Sequence, residues 1–396
     1  MWFQALFTPD LPCDKRKALR VSTALLLLIA LILPATPAFG APEDSMADAA
    51  SALLVEATTQ QPLLEQNADT PRSVAGLIKL PAMLVLSEAV DQGKLDLKSE
   101  ISVSDKAAKV GGPTAFIEGG EVISAAPLMK AAVMICAGDA ITALGEALFG
   151  TETGFVDAIN TRLNELGVPV TYDNAVGAGA QLTARQLAII GAALMKSPAF
   201  TAHSKLTLEN FTHSDGRETE LVNANRMLRN YAGCTGVATG SSQADGYCGV
   251  FAVTRGDTQL ICVVTGCRNS STRFAVAGAM LDQAFATKKA QKCAEKGEVI
   301  AESIRVHGGK RREVNLVAKD TTVLLLDKAE PALVAVENIP AELQAPLGLN
   351  SVVGSVSYQT ANGVEMGKVE LVPQVEVEEA FFREIIRELL LSFMRL

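Results

Sequence analysis

One short segment of the chain has the spacing of an acyl-transfer motif but lacks the group that would attack. Residues 74–79 read VAGLIK, which fits the form Ser-x-x-Lys with Gly76 at the serine position and Lys79 retained. In that motif the serine attacks a carbonyl carbon to form an acyl-enzyme, and the lysine one helical turn later takes its proton. The segment therefore predicts the remnant of a nucleophilic site that has lost its hydroxyl group.

The elements that must position this segment predict an α/β domain at residues 49–287. Apolar runs predict a buried strand at 52–57 and a hairpin with strands at 247–254 and 259–265. Apolar residues at helical spacing predict helices at 80–90, 127–148, 153–166, 183–196 and 272–286, with Thr183 as the N-cap of the fourth. This order of elements is typical of a sheet with a mostly helical subdomain inserted into it.

The rest of the chain predicts a small β domain and a terminal helix. After a charged linker at 288–298, short alternating segments predict an all-β domain at 299–373. Residues 378–396 predict an amphipathic helix, because apolar residues recur at 381, 382, 385, 386, 389, 390, 393 and 394. We expect the segment from Phe381 to Leu396 to lie on a membrane surface. Docking of this helix onto the chain's own β domain is the alternative.

Residues 1–40 have the pattern of a secretory signal peptide, and a polar linker follows at 41–48. Basic residues precede an apolar run at 21–33, and Ala38 and Gly40 are small residues suited to a cleavage site. The run is shorter than the roughly 20 residues that a spanning helix needs. An uncleaved anchor is the alternative, and the domains are exported in either case.

Charge and composition exclude several classes of function. The net charge of −9 leaves no basic stripe for nucleic acid. The seven cysteines show no C-x-x-C spacing, and His203, His213 and His307 lie far apart in the sequence. We therefore expect no metal or other cofactor, and we expect the histidines to be surface or core residues.

The order of these parts resembles the serine D-Ala-D-Ala carboxypeptidases, the low-molecular-mass penicillin-binding proteins. The resemblance spans about 49–396 and is carried by framing segments at fixed places: EQNAD at 65–69, GG at 111–112, EG at 118–119, residues 155–167, and NANRML at 223–228. It implies a β-lactamase/transpeptidase-like sheet with an inserted helical subdomain, a C-terminal β domain and a terminal anchor helix. It also implies a peptidoglycan stem peptide as ligand.

Such an enzyme needs three clusters, and this chain departs from all of them. A Ser-x-Asn loop completes the proton path, and a Lys-Thr-Gly strand holds the terminal carboxylate of the substrate. The matching positions are Gly76 and Lys79 in the first motif, Cys136 and Gly138 in the second, with Asp139 retained after it, and Ala238, Thr239 and Gly240 in the third. The hydroxyl, the amide and the carboxylate-binding ammonium are therefore all missing.

Two further expectations concern Lys79. Pro81 lacks an N–H and disfavours helical conformation at Leu80, so Lys79 is expected to be aimed differently from the motif lysine. Without a serine beside it, Lys79 is expected to be solvated or ion-paired, with Asp139 as the candidate partner.

Two other residues are candidates to replace the missing serine, whose loss typically costs about a millionfold in turnover. Ser73 lies six residues before Lys79, an offset that points the two side chains to different helix faces. Cys136 is the sharper alternative, because a thiol near Lys79 has a lowered pKa. A small buried residue at a helix end is the competing explanation of Cys136.

The sequence thus predicts an exported, membrane-surface relative of the carboxypeptidases that has lost acyl transfer. It would bind cell-wall peptides weakly or scaffold wall or sporulation proteins. An active peptidase with an unconventional nucleophile is the first alternative, and a purely structural protein is the second. The sequence names no protein partner.

Overall fold

The computed structural model of the chain describes residues 46–380 together with Ile386. The predicted signal peptide lies outside these residues, and so does the predicted terminal helix apart from Ile386 and its first positions. None of the helices described is long and apolar enough to cross a membrane.

The described elements form two domains that follow one another along the chain. The strands are β1 (Ser51–Glu56), β2 (Pro62–Gln66), β3 (Glu100–Ser102), β4 (Val122–Ser124), β5 (Leu208–Thr212), β6 (Glu218–Val222), β7 (Cys234–Ser242), β8 (Gly246–Arg255), β9 (Thr258–Cys267), β10 (Lys288–Ala294), β11 (Val299–His307), β12 (Glu313–Ala318), β13 (Thr322–Asp327), β14 (Val334–Asn338), β15 (Glu342–Gln344), β16 (Gly354–Gln359) and β17 (Glu365–Pro373). The helices are a 3₁₀ helix (Ala75–Lys79), α1 (Leu80–Asp91), α2 (Asp105–Ala108), α3 (Ala125–Ile135), α4 (Gly138–Phe149), α5 (Glu152–Glu165), α6 (Ala184–Met195), α7 (Pro198–Ser204), α8 (Met227–Asn230) and α9 (Ser270–Thr287).

A five-stranded antiparallel sheet, in the order β2-β1-β9-β8-β7, forms the centre of the first domain. Successive side chains of a strand point to opposite faces, and both faces of this sheet are covered. Leu53 and Val55 of β1 join the core beneath the helical subdomain, whereas Ala52 and Leu54 join a second core against α9. Burial on both faces explains why β1, β8 and β9 are almost continuously apolar.

The helical subdomain is inserted between β2 and β7 and contains α1 to α8 with the hairpins β3–β4 and β5–β6. Thr183 caps α6 as predicted, because its hydroxyl accepts from the amide of Gln186 and the Gln186 side chain accepts from the amide of Thr183. The β5–β6 hairpin was not predicted.

The second domain is all-β. A six-stranded sheet in the order β14-β16-β17-β12-β11-β15 packs with the two-stranded sheet β10–β13. Leu316, Val369 and Leu371 lie at the centre of its core. The predicted fold class, a sheet with an inserted helical subdomain followed by a small β domain, is confirmed.

Three local expectations are wrong. The supposed linker at 288–298 begins with β10, which pairs with β13 and follows α9 directly. The single helix expected at 127–148 is two helices, because Cys136 adopts a left-handed conformation with φ 54° and ends α3. Leu80 is helical, with φ −57° and ψ −39°, despite Pro81, because Pro81 lies in the first turn of α1, where its missing N–H costs nothing.

Candidate functional site

Gly76 lies in the 3₁₀ helix, which packs against β7 at the edge of the sheet. The hydroxyl of Tyr172 donates to the carbonyl of Ile78 at 2.6 Å and holds this helix from the other side. A Cβ atom at Gly76 would meet Gly240 Cα at 3.8 Å, an ordinary contact distance. Packing therefore leaves room for a Cβ atom at this position, so the backbone contacts of the 3₁₀ helix do not require glycine there.

Lys79 ends the 3₁₀ helix and is 5 % exposed. Its Nζ donates to the carbonyl oxygen of Cys136 at 2.9 Å. Burial lowers the pKa of Lys79, and the nearby Cys136 and Asp139 only partly offset this effect. The expectation of a solvated or ion-paired lysine is wrong, because Lys79 is buried and bonds to a neutral carbonyl group.

Cys136 is a buried residue at the end of a helix, as the simpler interpretation predicted. Burial raises the pKa of its thiol to about 11, and the neighbouring Lys79 does not reverse this. The thiol is therefore protonated at neutral pH, so the expected lowering of its pKa is wrong. Ser73 is exposed and precedes the 3₁₀ helix, in keeping with its expected separation from Lys79.

Gly138 opens α4 directly beside the amine of Lys79. A Cβ atom at Gly138 would lie 2.7 Å from Val110 Cγ1 and 3.0 Å from Lys79 Nζ. The amide of Gly138 donates to the carbonyl of Pro113 at 2.8 Å. Lys79 and Val110 thus crowd the space in which a side chain of the second motif would begin.

Asp139 is 1 % exposed and binds backbone amides instead of Lys79. Its carboxylate accepts from the amide of Ala115 at 2.9 and 3.0 Å, from that of Ile117 at 3.3 Å and from its neighbour Ala140 at 2.8 Å. Asp139 therefore fixes the loop at 112–117 against the second motif. This role follows from contacts about 24 residues apart in sequence and has no local sequence signal.

The third motif lies on β7, the outermost strand of the sheet. Ala238 is buried opposite Val250, and Thr239 is half-buried. A Cβ atom at Gly240 would lie 2.7 Å from the amide nitrogen of Gly76, so only glycine fits there. The structure thus brings the first and third motifs into backbone contact, while Ala238 supplies no ammonium group at the third motif.

Arg273 lies beneath the end of the third motif and was missed by the sequence reasoning. It is 3 % exposed, and its Nη1 donates to the carbonyl oxygens of Gly240 at 3.2 Å and Cys248 at 3.0 Å. Its guanidinium lies 4.6 Å from the ring centroid of Phe274, and burial lowers its pKa. A single arginine within the mostly apolar run 272–286 was the signal that could have revealed this buried cation.

The described residues offer no metal or disulfide chemistry. No group of three or more potential ligands from His, Cys, Asp and Glu is assembled among them. Their six cysteines, Cys136, Cys234, Cys248, Cys262, Cys267 and Cys293, are free thiols. His213 is a core residue, with Nδ1 3.1 Å from Glu121 Oε1 and Nε2 2.8 Å from Thr219 Oγ1.

Comparison with known proteins matches both domains. The family model described as D-alanyl-D-alanine carboxypeptidase (Peptidase S11) matches residues 38–269, and that of the penicillin-binding protein 5 C-terminal domain matches 289–379. The chain is 28 % identical to the D-alanyl-D-alanine carboxypeptidase DacF of Bacillus subtilis, over 78 % of this chain and 82 % of that protein.

Two further relatives agree over most of their length. The D-alanyl-D-alanine carboxypeptidase DacC of Escherichia coli is also 28 % identical, over 89 % of this chain and 90 % of that protein. Penicillin-binding protein 5 of Haemophilus influenzae shares the fold, with a TM-score of 0.71 at 24 % identity, over 84 % of this chain and 98 % of that chain.

Proposed function

Because the chain belongs to the D-alanyl-D-alanine carboxypeptidase family, we propose that it is an exported member that has lost acyl transfer and binds cell-wall peptides in the remnant cleft. The observation that carries this proposal is the hydrogen bond from Lys79 to the Cys136 carbonyl, with Gly76 in place of a nucleophile. Its site of action would be the outer face of the cytoplasmic membrane, reached by the N-terminal signal and held by the terminal helix.

The proposed loss of acyl transfer is argued from two properties of the remaining side chains: whether they are protonated and which atoms they point at. A general base must lie within hydrogen-bond reach of the proton that it abstracts. Lys79 instead directs its amine at a backbone carbonyl, and no hydroxyl extends from Gly76. The buried Cys136 thiol, with its pKa raised to about 11, is a poor substitute, because the thiolate is the nucleophilic form.

The binding role is supported by the order that remains around the cleft. Asp139 fixes the loop at 112–117, and Arg273 holds the carbonyl of Gly240 at the end of the third motif. The backbone contact between Gly240 and Gly76 is likewise kept. A site held by these contacts, with no nucleophile at Gly76, is suited to binding without turnover.

Labelling with a fluorescent penicillin tests the loss of acyl transfer. The full chain in detergent should give no covalent adduct above a heat-unfolded sample of the same protein. Calorimetry should then detect binding of a pentapeptide that ends in D-Ala-D-Ala. A stoichiometric adduct would overturn the proposal, and mass spectrometry of that adduct would identify the nucleophile. Absence of both labelling and peptide binding would favour the purely structural role.

A further inference from the structure

Phe116 is an exposed aromatic residue on the loop that borders the second motif. Its side chain is 65 % exposed, whereas its neighbours Ala115 and Ile117 are buried at 0 % and 3 %. A large exposed apolar side chain between two smaller buried ones is the reverse of what packing favours. Packing within the described residues therefore does not explain why the largest apolar group of this loop faces solvent.

The backbone at Phe116 is held in a conformation that aromatic residues disfavour. Its φ is 59°, in the left-handed region, where glycine, asparagine and aspartate are the usual residues. Strained backbone of this kind persists when surrounding contacts enforce it, and it is concentrated at functional sites. The exposed position of the Phe116 ring is therefore accompanied by a backbone conformation that costs energy.

Contacts from two elements enforce this presentation. Asp139 on α4 accepts from the amides on both sides of Phe116, those of Ala115 and Ile117. From the β5–β6 hairpin, Arg217 Nη1 donates to the carbonyl of Phe116 at 3.2 Å, and Arg217 Nη2 donates to Glu118 Oε1 at 3.1 Å. The loop is therefore pinned before any ligand arrives, which lowers the entropy lost on binding.

The same loop adjoins the first and second motifs. A Cβ atom at Gly112 would lie 3.6 Å from Lys79 Nζ, and Pro113 accepts from the amide of Gly138. Phe116 follows three residues after Pro113 on this pinned segment. A ligand held at the first and second motifs would therefore lie next to the segment that carries Phe116.

We propose that Phe116 is a specificity-determining residue of the cleft, whose ring packs against an apolar side chain of the bound peptide. The proposal rests on the peptide-binding function proposed above. Rigid aromatic residues are frequent anchors of binding surfaces, because they bury a large apolar area with few rotatable bonds. The missing ammonium at Ala238 makes such an apolar anchor more important, since an anionic peptide end has lost that partner.

The variant Phe116→Gly separates a binding role from a structural one. Glycine adopts the left-handed conformation without strain, so the midpoint of thermal unfolding should stay constant or rise by about 2–4 °C. Affinity for the pentapeptide that ends in D-Ala-D-Ala should fall at least about fivefold, because the apolar contact is lost. Calorimetry at several temperatures should also show a less negative heat-capacity change of binding, the marker of apolar burial.

Leu208→Ala is the matched control, since Leu208 is an exposed apolar residue, 55 % accessible, at the far end of the β5–β6 hairpin from Arg217. It should leave peptide affinity and heat capacity unchanged. Unchanged affinity in Phe116→Gly would overturn the proposal, and so would a fall in both affinity and unfolding midpoint. If the wild type binds the pentapeptide in those cases, only the role of Phe116 is rejected and the peptide-binding function remains. If the wild type does not bind the pentapeptide, the peptide-binding function and the role of Phe116 are both rejected.

Discussion

The side-chain nitrogen of Lys79 lies 2.9 Å from the carbonyl oxygen of Cys136, a residue 57 positions further along the chain. This bond joins the 3₁₀ helix to the end of α3. A lysine that lowers its own desolvation cost by bonding to a backbone carbonyl has a structural role, because it ties two motifs together. The first two motifs are thus connected through this bond.

Replacing Lys79 with methionine should change how stability depends on pH. Burial lowers the pKa of Lys79, so between that lowered pKa and the unfolded value of about 10.4 the unfolded state binds more protons. The penalty for burying the charge is full below the folded pKa and is relieved as pH rises through this window. The unfolding free energy of the wild type minus that of Lys79→Met should therefore increase as pH rises towards the unfolded pKa of about 10.4 in denaturant titrations. A constant or falling difference would mean that Lys79 stays hydrated in the folded protein.

Asp139→Asn should destabilise the protein by about 1–3 kcal/mol, because the carboxylate accepts from the buried amides of Ala115, Ile117 and Ala140. Urea unfolding measures this change. Asp157→Asn is the control, since Asp157 is exposed on α5 and should shift stability by no more than about 0.5 kcal/mol. Equal effects of the two substitutions would contradict the role assigned to Asp139 in fixing the loop.

Gly240→Ala should destabilise the protein by about 1–3 kcal/mol, because the new methyl group would lie 2.7 Å from the amide nitrogen of Gly76. Gly278→Ala is a control with the opposite expected sign. Its Cβ would meet only Tyr231 at 4.0 Å within α9, so the exchange should stabilise by up to about 1 kcal/mol. Thermal unfolding of both variants measures the contrast, and a tolerated Gly240→Ala would show that the first and third motifs are further apart than described.

Gly76→Ser should fold with stability within about 1 kcal/mol of the wild type, because its side chain has room, yet it should not be acylated by penicillin. The restored hydroxyl would still lack an available base, since Lys79 is bonded to Cys136. Rapid labelling of Gly76→Ser by penicillin would contradict this prediction and would show that the missing hydroxyl alone prevents acylation.

Gly138→Asn should lower the midpoint of thermal unfolding, because its Cβ would crowd Val110 and Lys79.

Sequence patterns predicted well those helices and strands whose buried faces produce an apolar periodicity along the chain. Helix 80–90 and the hairpin of β8 and β9 appear as expected, because their apolar periodicity reflects one or two buried faces. The left-handed conformation that separates α3 from α4 at Cys136 was not predicted, since cysteine is not one of the residues that usually adopt it.

The geometry of the candidate site depended on contacts that no local pattern records. Gly76, Gly138 and Ala238 were assigned to motif positions from the resemblance to the carboxypeptidase family. The partner of Lys79 did not, because it depends on how two distant segments meet. Arg273 was missed for the same reason, since its acceptors, Gly240 and Cys248, belong to other strands.

The junction of α9 and β10 has a mechanical consequence. Helix α9 ends at Thr287 and β10 begins at Lys288, so no residue between them acts as a hinge. Two bonds brace the junction, from the amide of Lys328 to the carbonyl of Thr287 at 2.8 Å and from the amide of Ala290 to the hydroxyl of Thr258 at 2.7 Å. A helix that passes directly into a strand of the next domain leaves no flexible linker at this point, so rotation of the β domain against the first domain would have to break these bonds.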